Sequence, residues 1–206
     1  MSDALNLPNE QPKGEAAAVK APESIDEMVE SIAAHLYSLA SMLVGEGKES
    51  ERLVEMAVSS AEVSLCHDPE NSRRSSQQAL STAAIDLLAG RNPNSLEAPE
   101  GLEPAASCIE KDDLASAGIS TKELESMIAG PDRDRVREWL ASLPTAMRTV
   151  FVLRAVAGFS AAETAALLKA HGGPQASGWT PGMAREVFRQ GLCSLASQLL
   201  QASAAQ

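Results

Sequence analysis

Arg185 and Arg189 stand four residues apart near the start of the last amphipathic segment, so on a helix they share one face. Opposite them Ala184, Val187, Phe188, Gly191, Leu192, Leu195 and Leu199 recur at three- and four-residue steps, which predicts a common buried face. A helix with an apolar back and a basic front in its first two turns can lie in a major groove. There its guanidinium groups reach phosphates or guanine edges. The plainer reading of the same spacing is a small helical bundle with two solvated arginines.

The elements that must position this pair run from Val136 to Leu200 and read as four helices in a fixed order. Trp139, Leu140 and Leu143 close the first, and Pro144 opens the second, whose centre, Val150-Phe151-Val152-Leu153, is apolar. Gly158 ends the second helix, since a helix C-terminus favours a residue that tolerates a left-handed backbone. Ser160-Ala161-Ala162-Glu163 forms a capping box that starts the third, with Ala161, Ala165 and Leu168 as its apolar stripe. Eleven residues, Lys169 to Trp179, separate Leu168 from Thr180. Thr180-Pro181 then supplies an N-cap and a first helical residue for the last helix. In the intervening stretch Trp179 is expected to pack back as a hydrophobic staple, and His171 is expected to be a plain loop histidine.

Leu143-Pro144, Arg148-Thr149-Val150-Phe151, Leu153-Arg154, Gly158-Phe159-Ser160, Glu163, Ala165 and Leu168, taken in order, resemble the C-terminal helix-turn-helix domain of bacterial RNA polymerase sigma factors. The small extracytoplasmic-function type is the nearest group. The resemblance implies a transcription function in which the last helix reads the upstream promoter element. The family's turn is only a few residues long, so the stretch from Lys169 to Trp179 is an enlargement.

Composition bounds the fold. Aromatic residues make up 3% of the 206-residue chain, and no segment alternates with period two, so the expectation is all-α with a largely aliphatic core. No apolar run reaches the roughly 18 residues of a membrane span, and the polar, acidic first twenty residues are unlike a signal peptide. Cys66, Cys108 and Cys193 are odd in number and lie far apart, which argues against a zinc site and for reduced thiols in the cytoplasm. The net charge of −11 is unevenly spread: eight basic against five acidic residues from Pro131 onward, nine against twenty-three before it. An acidic front half joined to a mildly basic helix-turn-helix suits a DNA reader whose front half meets protein, with weak, salt-sensitive phosphate affinity.

Residues 1–22 lack periodicity and read as a disordered tail. Ser24-Ile25-Asp26-Glu27 is a second capping box, opening a long helix with Ile25, Met28, Val29, Ile32, Leu36, Leu39, Ala40 and Leu43 inward. Gly45 and Gly47 stop it. A helix from about Glu49 to Leu65 should bury Leu53, Val54, Ala57, Val58, Ala61 and Leu65, until His67-Asp68-Pro69 breaks it. A third, from about Ser75 to Ala89, should bury Leu80, Ala83, Ala84, Leu87 and Leu88. From Arg91-Asn92-Pro93 to about Ser120 the chain reads as a linker, followed by a short helix from Ser120 to Gly130.

This half is also similar to the sigma family. The stretch Leu36 to Glu55 resembles its N-terminal domain, in which the second of these helices docks on the polymerase clamp, and Ala79 to Leu88 resembles the helix that carries promoter-melting and upstream-edge contacts. With the C-terminal match, the resemblance spans about two thirds of the chain. It departs from the family at Arg52, where an acid is usual, and at Glu55, where glutamine is usual. Ser72 to Ala89 contains no Phe, Tyr or Trp on which an unstacked base can rest. Arg73 and Arg74 are the basic pair beside it, with a solvated helix start as their plain reading.

The resulting expectation has four parts: a tail at 1–22, a three-helix sigma-like, polymerase-binding domain at 23–92, a linker with a short helix at 93–130, and a four-helix helix-turn-helix DNA-binding domain at 131–203. Core RNA polymerase would be met through Arg52, Leu53, Glu55 and Met56, and promoter DNA through the last helix. There Arg185 and Arg189 would contact phosphate or guanine, Glu186 would accept from a cytosine amino group, and Thr180 and Gly182 would donate to phosphate. An anti-sigma protein is a further partner the resemblance implies. No cofactor is expected, and no catalytic constellation or phosphate-cradling glycine loop points to an enzyme. The alternative is a sigma-like adaptor that acts through protein contacts without melting promoters.

Overall fold

A computed structural model describes residues 25–60, 69–99 and 133–204. The described residues are helical, with no strand among them. No described helix is long and apolar enough to cross a membrane. The tail at 1–22, the capping box at Ser24 and the short helix expected at Ser120 to Gly130 lie outside the described residues.

Helix α1 (Ile25–Val44) buries Leu36, Leu39, Ala40, Met42 and Leu43, whereas Val29, expected on the same face, is 41% exposed. Gly45 and Gly47 follow at φ +95° and +130°, conformations open to glycine that let the chain reverse within three residues. Ser50 locks the corner. Its hydroxyl accepts from the Gly47 N–H and donates to the Gly47 carbonyl, at 3.2 and 2.7 Å. Helix α2 (Lys48–Ser60) then turns Leu53 and Ala57 into the core. Val58 was expected beside them but is 44% exposed, because a residue one step beyond Ala57 is rotated about 100° off the buried stripe.

Helix α3 (Pro69–Arg91) begins about two turns earlier than the apolar spacing predicts. Pro69 suits a first helical position because its fixed φ is helical and the N–H it lacks would have no partner there. Its first turns are polar yet packed. Ser72, Ser76 and Gln77 are buried, Ser76 donates to the Ser72 carbonyl at 2.9 Å, and Gln77 Nε2 lies 2.7 Å from His35 Nε2 on α1. Further along, Leu80, Ala84, Ile85 and Leu88 are buried, while Ala83 and Leu87 sit half-buried at the edge. The chain leaves α3 through a turn in which Ser95 donates to the Leu88 carbonyl, and Leu96 is fully buried. The first residues of the expected linker are therefore part of the packed structure.

The C-terminal helices follow the expected order: α4 (Arg133–Ser142), α5 (Thr145–Ala155), α6 (Ala161–His171) and α7 (Pro181–Ala204), with a 3₁₀ turn at Pro174–Gly178 before α7. Helix α5 ends at Ala155 with Val156 as its C-cap, three residues before Gly158, where the sequence places the stop; Gly158 itself takes φ +69° in the turn that follows. The core here is largely aliphatic around a group of three rings: Trp139 meets Phe151 edge-on with centroids 4.9 Å apart, and Phe151 lies 5.6 Å from Phe188. The two groups of helices share one continuous buried cluster. Helix α3 packs on α6, and α1 packs on α4 and α5.

Candidate nucleic-acid interface

The candidate face is built from α6, the turn from Gly172 to Trp179 and α7. Helix α6 is fixed by its expected capping box. The Ser160 hydroxyl accepts from the Glu163 N–H at 3.2 Å, and the Glu163 carboxylate accepts from the Ser160 N–H at 2.8 Å. That N–H, the Ser160 hydroxyl and then the Arg74 guanidinium hold the Glu163 carboxyl below its ordinary value. Arg74, which reads from sequence as solvated, instead pairs with Glu163 across the two halves and lies 5.8 Å from the Phe159 ring centroid. Its neighbour Arg73 pairs with Glu70 within α3.

The turn between α6 and α7 is a packed element. Gly172 N–H donates to the Leu168 carbonyl, and a Cβ there would lie 2.5 Å from that of Ala176, so the close approach requires glycine. Trp179 is completely buried, and its indole N–H donates to the Leu96 carbonyl at 2.8 Å. His171 is not a plain loop residue: it ends α6, with Nδ1 3.2 Å from the Asp86 carboxylate on α3. The turn thus fastens α6 and α7 to the exit of α3.

Thr180 caps α7 by accepting from the Met183 N–H at 3.2 Å, and the Ala184 N–H donates to the Thr180 carbonyl. Thr180, Pro181, Gly182 and Arg185 are exposed on the first turns. Glu186 and Arg189 are brought together instead of being presented singly. They form an ion pair with side chains 20% and 17% exposed, and Gln190 Nε2 donates to Glu186 at 3.4 Å. Of the five DNA-facing candidates, Thr180, Gly182 and Arg185 are exposed, and Glu186 and Arg189 form an ion pair beside them. On the back of α7 the predicted residues Ala184, Val187, Phe188, Gly191, Leu192 and Leu195 are all buried, and the side chain of Leu199 lies outside the described set.

The four candidates on α2 divide. Arg52, Glu55 and Met56 are exposed, Met56 by 42%. Leu53 is 1% exposed in the core and presents no surface to a partner, since it sits on the inward stripe with Ala57. Cys193, half-buried on α7, is disulfide-bonded, where the sequence reading expects reduced thiols. Among the described residues no group of three or more His, Cys, Asp or Glu is placed to hold a metal ion.

Sequence reasoning missed a cluster of guanidinium groups where the halves meet. Arg137 on α4 pairs with Glu46 beside α1, and Arg91 at the end of α3 pairs with Glu49 on α2. That pairing draws the Glu49 carboxyl below its ordinary value. Arg148 on α5 is half-buried, and burial first, then the charge of Arg91, lower its pKa. Three separate helices contribute these guanidinium groups, so no local spacing marks them. No family model, no curated protein and no solved structure matches the chain.

Proposed function

We propose that this chain is a sigma-factor-like protein that binds core RNA polymerase and reads promoter DNA through α7. The observation that carries the reading is the capped, exposed front of that helix. Thr180, Gly182 and Arg185 stand outward on its first turns while its back is buried on Phe151 and its neighbours. The Gly182 N–H at the helix start and the nearby Arg185 guanidinium suit phosphate and guanine contact. The exposed Arg52, Glu55 and Met56 on α2 suit a docking face for polymerase.

A second reading, an adaptor that acts through protein contacts without opening DNA, is favoured by the engagement of Arg73 and Arg74. Both are tied to carboxylates, and Ser72 to Ala89 offers no aromatic platform for an unstacked base. Multi-round transcription with core polymerase on genomic fragments, at low and moderate salt, separates the two. Discrete start sites that vanish without the protein establish the sigma reading. Core binding without initiation establishes the adaptor, and no core binding overturns both.

A further inference from the structure

Between the end of α1 and the α4–α5 pair lies a cavity of about 350 Å³, lined by Met42, Leu140, Ala141, Glu46, Arg137 and Arg148 among others. That volume is within the range of small-molecule sites. Its walls come from both halves of the chain, and three features give it a chemical preference.

The first is Arg148. Its Nε is buried without a hydrogen-bond partner, and among the described residues its guanidinium forms no ion pair. A guanidinium carries five donors and remains charged, so a desolvated one favours a carboxylate that can accept two of them. Arg91 lies near enough to depress the Arg148 pKa and so adds to the positive potential there. The second feature is the apolar wall of Met42, Leu140 and Ala141, which suits a hydrocarbon body. The third is the pair of carboxylates, Glu46 and Glu138, that also line the cavity. Glu46 is already matched to Arg137, so one guanidinium remains to be satisfied, and a multiply charged anion would meet repulsion.

We infer that this cavity is a binding site for a small organic monoanion, a carboxylate with an apolar body. The carboxylate would sit on Arg148, and the body would lie along Met42, Leu140 and Ala141. The assignment is independent of the transcriptional reading, because it rests on the cavity alone.

Octanoate is the probe, titrated into the full chain and followed by the Arg148 Nε–H resonance in nitrogen-15 spectra and by calorimetry. The expected result is a shifted Arg148 resonance with a Kd of about 1 mM or below, within reach of a ligand of this size. Arg148→Met should weaken binding at least about tenfold. Ala141→Phe, a change at an exposed cavity-lining position, should fill the space and abolish binding while circular dichroism shows the helices intact. An unmoved Arg148 resonance would overturn the assignment. So would equal binding by octanamide, equal or tighter binding by inorganic phosphate, or undiminished binding to the folded Ala141→Phe protein.

Discussion

The indole N–H of Trp179 donates to the backbone carbonyl of Leu96 at 2.8 Å, and both residues are fully buried. Eighty-three positions separate them, so the bond ties the turn before α7 to the segment leaving α3. The large ring closes the seam between the two halves. Its N–H also satisfies a carbonyl that would otherwise be buried without a partner.

Trp179→Phe keeps much of the packing but leaves the Leu96 carbonyl unpaired, and should cost about 1–3 kcal/mol. Trp179→Ala removes the ring as well and should cost about 3–5 kcal/mol. Urea unfolding of the three proteins measures both. Equal midpoints for Trp179→Phe and the parent would show that the bond contributes nothing net.

Glu163 gives the fold an acid dependence whose sign is fixed. Its carboxyl is held below 4.5 by the Ser160 N–H, then the Ser160 hydroxyl, then Arg74. A group with a depressed folded pKa contributes fully above its unfolded pKa and loses that contribution as pH falls through the folded value. Glu163→Gln should therefore flatten the stability profile below pH 4.5, where the parent declines. Ser160→Ala, which removes the cap itself, should cost about 1 kcal/mol at neutral pH. A parent profile that runs parallel to that of Glu163→Gln below pH 4.5 would remove Glu163 from the account.

Much of this arrangement is legible from local pattern. The Ser160–Glu163 box, the positive φ of Gly158 and the buried back of α7 are short-range features, set by helix periodicity and by what one residue does to its neighbours. Leu96 is a different case. It stands with Ala98 in the polar, proline-bearing run Asn92 to Pro99, and its carbonyl is met by a tryptophan 83 positions further along the chain. Arg74 reads as a solvated helix start because Glu163 is 89 positions away, and Arg137 finds Glu46 across 91. The polar first turns of α3 are packed by His35 from another helix, so apolar spacing misses two turns of that element. Leu53 was misplaced among the docking residues for a simpler reason: adjacent positions on a helix point about 100° apart, so Arg52 and Leu53 cannot share a surface.

Arg185 and Arg189 should behave differently when removed. Arg185 is exposed, and under the DNA-reading proposal Arg185→Ala should cost about 1–3 kcal/mol of binding on a specific duplex. Arg189 is only 17% exposed and is paired with Glu186, so Arg189→Ala should lower the melting temperature more than Arg185→Ala does. Fluorescence anisotropy on the preferred promoter duplex, alongside thermal melts, reads both quantities. Undiminished binding by Arg185→Ala would remove it from the interface.

Gly191 and Gly90 both lie inside helices, and the same substitution should move stability in opposite directions. Helix α7 crosses α5 at Gly191, where an added Cβ would lie 2.8 Å from Cδ2 of Phe151. Phe151 is itself held between Trp139 and Phe188, so its ring has little freedom to retreat. Gly191→Ala should therefore destabilise by about 1–3 kcal/mol, the usual range for overpacking a filled core. Gly90, near the end of α3, has nothing within 4 Å of the added atom and no positive φ. There the methyl group only restricts the unfolded chain and improves helix propensity, so Gly90→Ala should stabilise by about 0.4–1 kcal/mol. Urea midpoints of the two variants decide the matter. A stable Gly191→Ala would mean that α7 does not approach Phe151 closely, and the seating of its exposed front would have to be redrawn.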